Sequence, residues 1–231
     1  MRQDNAPEVL IFDFDGTIVN SMPFLTHVAV SLITSRYGAP ADEARKGYIE
    51  TCGLPFSKQI EILFPEDERN RETAGLFEDE KRKHLLQFEL FPDVLPAIAD
   101  IRRRGIKVCV SSGNKEDLIT RLLETRGLEV DLIMGYRPGF MKGPDHFECA
   151  RETFDSSLDR IVFVGDSQVD WRTARNMGVG FIVRVGLHTR EEIGRLLPGV
   201  PAVDSLSEIL PILGIEIAQE ENRAAHPPEL S

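Results

Sequence analysis

Residues 9–12, VLIF, form a continuous apolar run that ends in the polar cluster DFDGT at 13–17. A run without polar interruption is the pattern of a strand buried on both faces of a parallel sheet. Similar runs recur at 106–110, 132–134, 161–164 and 181–185, so five buried strands are expected. Between them the spacing of apolar positions changes to three and four. Leu95, Ile98 and Ile101 precede Gly105, and Leu118, Leu122 and Leu123 precede Gly127, predicting helices that each stop at a glycine. Asn114, with Asp117 three residues on, is the expected N-cap of the second helix. Strand and helix alternating from about 91 to 197 predict crossover units in a doubly wound α/β layer.

Residues 22–90 follow another pattern. Phe24, Leu25, Val28, Ala29, Leu32 and Ile33 make one helical stripe, and 65–90 is charge-rich, with Glu78 and Arg82, and Asp79 and Lys83, at helical spacing. This reads as a helical insertion directly after the first strand. An open α/β sheet keeps its ligand crevice at the strands' carboxyl ends, so the insertion is expected to lie over that crevice as a lid. The expected division is a core of 1–21 and 91–217, a helical cap of 22–90, and a fraying tail of 218–231 that lacks periodicity.

Charge narrows the partners. The chain of 231 residues carries 27 Lys and Arg against 38 Asp and Glu, a net charge of −11, which disfavours nucleic acid and anionic membrane. With 42% hydrophobic and 28% charged residues it has the composition of a globular protein, and no apolar run approaches the roughly 18 residues of a membrane span. The start lacks the apolar stretch of a secretory signal, so a cytoplasmic protein is expected, with a monomer favoured. Cys52, Cys109 and Cys149 are odd in number and far apart, which suits reduced thiols rather than a disulfide framework or a zinc site.

Four polar stations carry the candidate chemistry. Asp13 and Asp15 follow the first strand, and alternation sends both carboxylates to one side. Asp166 and Asp170, in GDSQVD at 165–170, follow another buried strand, four apart where a helix begins. Acids stacked at one sheet edge repel one another unless a hard cation such as Mg²⁺ joins them. A solvated turn and an ordinary helix cap are the plain alternatives for these two clusters. Ser111, Ser112 and Gly113, followed by Asn114, offer a hydroxyl and free N–H groups for an anion, or again an ordinary cap. Lys142 stands in a loop before a helix containing Phe147 and Ala150, where a merely solvated lysine is the default.

In their order, DxDGT, a serine strand end, a loop lysine and GDxxxD, these stations resemble the haloacid dehalogenase superfamily from about Val9 to Gly186. The insertion is similar to that family's type 1 helical caps. The resemblance implies a Rossmann-like core and a Mg²⁺-dependent phosphatase acting on a small phosphorylated metabolite. By it, Asp13 is the nucleophile that becomes an aspartyl phosphate, and Asp15 is the general acid and base, with a side chain kept protonated and a main-chain carbonyl on the metal. Ser111, Ser112, Gly113 and Lys142 hold the phosphoryl oxygens. Asp13, Asp15 and Asp166 hold the metal, with Asp170 acting on water or Lys142.

Other members of the family are weighed against these residues. Dehalogenases lack the second acid of the first motif, so Asp15 points to phosphorus. Sugar phosphomutases carry a histidine about twelve residues after the nucleophile, where this chain has Leu25; the nearby His27 lies opposite the apolar stripe. Phosphonoacetaldehyde hydrolases need a cap lysine as Schiff base, and Lys46 and Lys58 are read as solvated. A non-catalytic interaction protein retaining the fold has no need of Asp15 beside Asp13. Substrate choice is expected to rest with the cap: a tight turn at 51–56, and Arg45 and Lys58 as candidate readers of a second anion such as a carboxylate. His146 and Cys149 are read as packing residues.

Overall fold

The computed structural model describes residues 6–215. Six parallel strands form one sheet: β1 (Val9–Asp13), β2 (Lys107–Lys115), β3 (Leu132–Tyr136), β4 (Ile161–Gly165), β5 (Gly180–Arg184) and β6 (Ala202–Val203). Their order is β3-β2-β1-β4-β5-β6. The chain winds outward from β1 to β3, returns to β4 on the other side of β1, and winds outward again. The direction reverses between β1 and β4, and in such sheets that switch point opens a crevice at the carboxyl ends. Five strands coincide with the apolar runs. The sixth is two residues long, too short for any periodicity to announce it.

Helices cover both faces. α5 (Val94–Arg103) and α6 (Glu116–Thr125) bury Ile98, Ile101, Ile119 and Leu122 in one cluster with Leu10, Phe12, Val108 and Val110. α7 (Pro144–Thr153) and α8 (Gln168–Met177) bury Phe147, Ala150 and Ala174 against Val9, Ile11, Cys109 and Phe163 on the opposite face. α9 (Arg190–Leu196) and α10 (Ile209–Ile212) close the far edge. The α5 stripe is rotated from the expected one: Val94 and Ala97 are inside, while Leu95 is 44% exposed. Asn114 is not a helix cap. It lies within β2, which runs on to Lys115, and Lys115 occupies the N-cap position of α6 without a side-chain bond.

Between β1 and α5 the chain makes four α-helices, a short 3-10 helix (Leu85–Gln87) and no strand: α1 (Met22–Tyr37), α2 (Ala41–Glu50), α3 (Phe56–Leu63) and α4 (Asn70–His84). α1 turns Leu25, Ala29 and Ile33 inward, with Phe24, Val28 and Leu32 partly buried beside them. Phe56 stacks on Phe77 at 4.0 Å, and Tyr48 tilts against both at 6.2 Å. On α4 the expected Glu78–Arg82 and Asp79–Lys83 pairs give way to Asp79 with Arg82 and Glu80 with Lys83 at a spacing of three, and His84 lies 3.8 Å from Glu80 at a spacing of four. Two chain crossings join these helices to the sheet, side by side. Val19 bridges Leu90, the Asn20 N–H donates to the Glu89 carbonyl at 2.9 Å, and the Phe91 N–H donates to the Ile18 carbonyl at 3.1 Å. Among the described residues no helix is long and apolar enough to cross a membrane. Cys52, Cys109 and Cys149 are free thiols, and the expected fraying tail lies outside the described residues.

Candidate active site

β1 ends on Asp13, whose register partner on β2 is Ser111. Asp166 follows β4 directly. Ser167 caps α8 by accepting the Asp170 N–H at 3.2 Å, and its hydroxyl donates to Asp170 Oδ2 at 2.7 Å. A strand end, a loop and a first helical turn thus meet at the switch point. Asp13, Asp166 and Asp170 are all buried, and each offers a carboxylate oxygen within 4.8 Å of the others. The residue that reconciles them is Lys142, in the loop before α7. Its Nζ lies 2.8 Å from Asp13 Oδ1 and 2.8 Å from Asp170 Oδ1.

Burial opposes ionisation here, and the acids oppose one another. Burial pushes the Asp13 carboxyl up to about 7 against the pull of Lys142, with Asp170 and Asp15 adding to the rise. Burial and the charges of Asp13 and Asp170 raise Asp166 well above the usual carboxylate value. Lys142 is held cationic: burial disfavours its charge, but Asp13 and Asp170 overcome that. Asp166 Oδ2 is buried with no hydrogen-bond partner, a state that costs several kcal/mol in a dry site unless a cation or proton serves it. Gly16 keeps the space beside this oxygen open. A Cβ there would lie 2.0 Å from Asp166 Oδ2, and the backbone φ of +78° favours glycine independently. Three converging carboxylates, one of them with an orphaned oxygen, fit a hard divalent cation.

Asp15 stands apart from this trio. Its Oδ1 accepts from Ser21 Oγ at 2.7 Å, and its Oδ2 accepts from Asn114 Nδ2 at 2.9 Å and Lys81 Nζ at 2.7 Å. Burial raises its pKa, but the Lys81 ammonium and the hydrogen bonds from Lys81, Ser21 and Asn114 outweigh it, so Asp15 lies below the usual carboxylate value. The protonated side chain expected for a resting general acid is therefore not what the geometry favours. Burial is the strongest single influence, and it takes the ammonium and the three hydrogen bonds together to outweigh it.

The serine pair divides. Ser111 shares a 2.8 Å hydrogen bond with His146 Nδ1, while Ser112 Oγ accepts from the Asn114 N–H at 3.1 Å and from its Nδ2 at 3.0 Å. Gly113 is exposed beside them, and a side chain there would meet nothing within 4 Å. His146, read as packing, is indeed buried against Phe140, with ring centroids 4.6 Å apart. It is also a partner of Ser111, and burial with the nearby Lys142 charge lowers its pKa to about 4, so it is neutral. Arg45 and Lys58 are exposed, as is His27.

Lys81 and Ser21 carry no mark of chemistry in the sequence, and Asn114 is read there only as the cap that closes the serine station, not as a partner of Asp15. Asn114 passes for a cap until β2 is seen to continue through it. Lys81 sits among five acidic and basic residues of α4, where nothing separates an inward lysine from a solvated one. The insertion presents further groups to the acids. Gly53 approaches the α8 N-terminus so closely that a Cβ would be 2.4 Å from Ser167 Oγ and 2.8 Å from Val169 Cβ. Burial pushes the Cys52 thiol up, and the Asp166, Asp170 and Asp13 charges add to it; the buried Tyr48 is raised by burial and by Cys52, Asp15 and Asp166.

A curated phosphoglycolate phosphatase of Rhodospirillum rubrum is 27% identical over 203 residues, covering 82% of this chain and 84% of that protein. A solved haloacid dehalogenase-like family protein of Streptococcus pneumoniae superposes with a TM-score of 0.73 at 18% identity, over 91% of this chain and 99% of the other. The Rhodobacter sphaeroides protein CbbY, solved with xylulose-(1,5)bisphosphate, superposes with a TM-score of 0.65 at 20% identity, over 87% and 96%. The model of the haloacid dehalogenase-like hydrolase family matches residues 10–184, and that span takes in Asp13, Asp15, Ser111, Lys142, Asp166 and Asp170: the chain belongs to the haloacid dehalogenase-like hydrolases.

Proposed function

We propose that this protein is a Mg²⁺-dependent phosphatase that hydrolyses a small phosphomonoester through a phosphorylated Asp13. The observation that carries the reading is the meeting of Asp13, Asp166 and Asp170 on one point beside Lys142, with Asp166 Oδ2 left without a partner. The curated relative's phosphatase name agrees with it.

Asp13, Asp166 and the Asp15 main-chain carbonyl would hold the metal, with Asp170 beside them. When bound, Mg²⁺ would neutralise phosphoryl charge that otherwise repels a carboxylate nucleophile. Lys142 favours the ionised Asp13 against burial, a task the metal would share, and its charge would meet the phosphoryl oxygens together with the N–H groups at Ser112 and Gly113. An Asp13 oxygen then forms a bond to phosphorus while the ester P–O bond breaks. Asp15 delivers a proton to the departing oxygen. In the second half Asp15 takes a proton from water, the water oxygen attacks phosphorus, and the Asp13 carboxylate is released with inorganic phosphate. Asp15 must give up its Lys81 contact for a proton before the first of these steps. Residues 22–90 would form the cap over 1–21 and 91–217, excluding bulk water while the phosphoenzyme exists.

Leu25, where a mutase has histidine, is 3% exposed and packed in the core, which favours hydrolysis over mutase chemistry. The test is phosphate release from a panel of small phosphomonoesters with and without Mg²⁺. Metal-dependent release that Asp13→Asn abolishes is expected. Release that survives this substitution would reject Asp13 as nucleophile, and no release from any ester would return the non-catalytic reading.

A further inference from the structure

Asp13 and Ser111 are register partners on β1 and β2, and a single short stretch of chain serves both. Lys142, in the loop before α7, places its Nζ 2.8 Å from Asp13 Oδ1. His146, the third residue of α7, shares a 2.8 Å hydrogen bond with Ser111 Oγ through Nδ1. Ser111 and His146 are both wholly buried. Among the described residues this bond is the one side-chain hydrogen bond of each, and His146 Nε2 has no partner. If the ring only filled space beside Phe140, an apolar side chain would do so without leaving a buried nitrogen unpaired. Burial and the Lys142 charge hold the imidazole neutral against the pull of Asp145 and the Gly135 carbonyl. One of its nitrogens therefore carries a proton and the other a lone pair.

We propose that His146 is a positioning residue: when a phosphoryl group is bound, its Nδ1–H donates to Ser111 Oγ and commits the Ser111 hydroxyl proton to a phosphoryl oxygen. The inference rests on the phosphatase reading, in which phosphorus meets Asp13. Register partners in a parallel pair point their side chains the same way, so Ser111 Oγ stands on the side of the sheet where Asp13 reacts. A hydroxyl has one proton to give and two lone pairs to offer. If the imidazole takes that proton, Ser111 shows an anion nothing but lone pairs. If the imidazole gives its own, the Ser111 proton is free for the phosphoryl oxygen, which can only accept. An anion thus selects the second polarity, and two hydrogen bonds in series strengthen one another in a buried site. Lys142 and His146, four residues apart, then prepare the two members of the strand pair, one through charge and the other through the direction of a hydrogen bond.

The test reads binding of inorganic phosphate in Mg²⁺ by calorimetry, on the wild type, Ser111→Ala, His146→Leu, His146→Asn and the variant carrying both Ser111→Ala and His146→Leu. His146→Leu is expected to weaken phosphate about 10-fold when Ser111 is present and less than about 2-fold once it is alanine. His146→Asn, whose Nδ2 can stand where Nδ1 stood, should recover most of the affinity. A second readout needs no variant to bind: in nitrogen NMR of the wild type with isotopically labelled histidine, His146 should carry its proton on Nδ1 in the phosphate complex. Equal weakening by His146→Leu in both backgrounds, an affinity that His146→Leu leaves unchanged, a proton on Nε2 in the complex, or no phosphate binding to the wild type overturns the proposal. Coupling between His146 and Ser111 in a protein that releases phosphate from no ester would preserve the His146 assignment while rejecting hydrolysis, so the two readings fail separately.

Discussion

Asp13 and Asp15, two residues apart on one strand end, are driven in opposite directions by their neighbours. Burial takes Asp13 up to about 7, whereas Lys81, Ser21 and Asn114 hold Asp15 low. Metal ligands must be deprotonated, so a cation entering beside Asp13 and Asp166 displaces protons. Mg²⁺ binding is therefore expected to tighten as pH rises through about 7 and to release protons below it, which calorimetry in buffers of different ionisation enthalpy will show. Asp15→Asn is expected to lower the hydrolysis rate of an alkyl ester by a factor on the order of 10²–10⁴. The loss should be much smaller for a nitrophenyl ester, whose leaving group departs unprotonated. Equal losses would remove Asp15 from the acid role.

At the scale of elements, the site depends on close approaches that only small residues permit. Gly16 lies between Asp166 and Met22, so Gly16→Ala must either rotate Asp166 away or push α1 back. A strained φ adds about 1 kcal/mol or more. The expected outcome is weaker Mg²⁺ binding together with a lower Tm, whereas Gly113→Ala, with open space at its Cβ, should leave Tm unchanged. The same scale shows why part of the fold was legible in the sequence. Buried parallel strands are written as apolar runs, and the residues just after them sit at the carboxyl edge by construction, so Asp13, Ser111 and Asp166 could be placed from strand ends alone. Contacts between the insertion and the sheet have no such signature. Lys81 and Asp15 are 66 residues apart, and neither residue's local pattern carries information about the other. Short elements such as β6 are silent for the opposite reason, having too few positions to show a period.

At the scale of the whole molecule, Arg184 ties distant segments together. From the end of β5 it donates to the Thr17 carbonyl at 3.2 Å and to Asp93 Oδ1 at 2.9 Å, and its guanidinium lies 4.1 Å from the Phe91 ring centroid. Asp93 Oδ2 in turn accepts from the Leu206 N–H at 2.7 Å. Arg184→Met leaves a carboxylate and a carbonyl without their donor and is expected to cost about 3 kcal/mol in urea unfolding. Burial raises the Asp93 pKa but the Arg184 hydrogen bond and charge and the Leu206 N–H lower it further. A carboxyl depressed on folding contributes stability above its unfolded pKa and loses it as pH falls through the folded one. The wild type should therefore lose stability on the acid side more steeply than Arg184→Met. The two crossings that link the helices to the sheet are zipped together through Val19, Asn20, Glu89 and Leu90. Pinned by its own backbone, such a double ribbon is expected to resist twisting more than a single strand would. If residues 22–90 are the cap proposed above, replacing them by another set of helices is expected to change which ester is accepted while the nucleophile's loop keeps its shape.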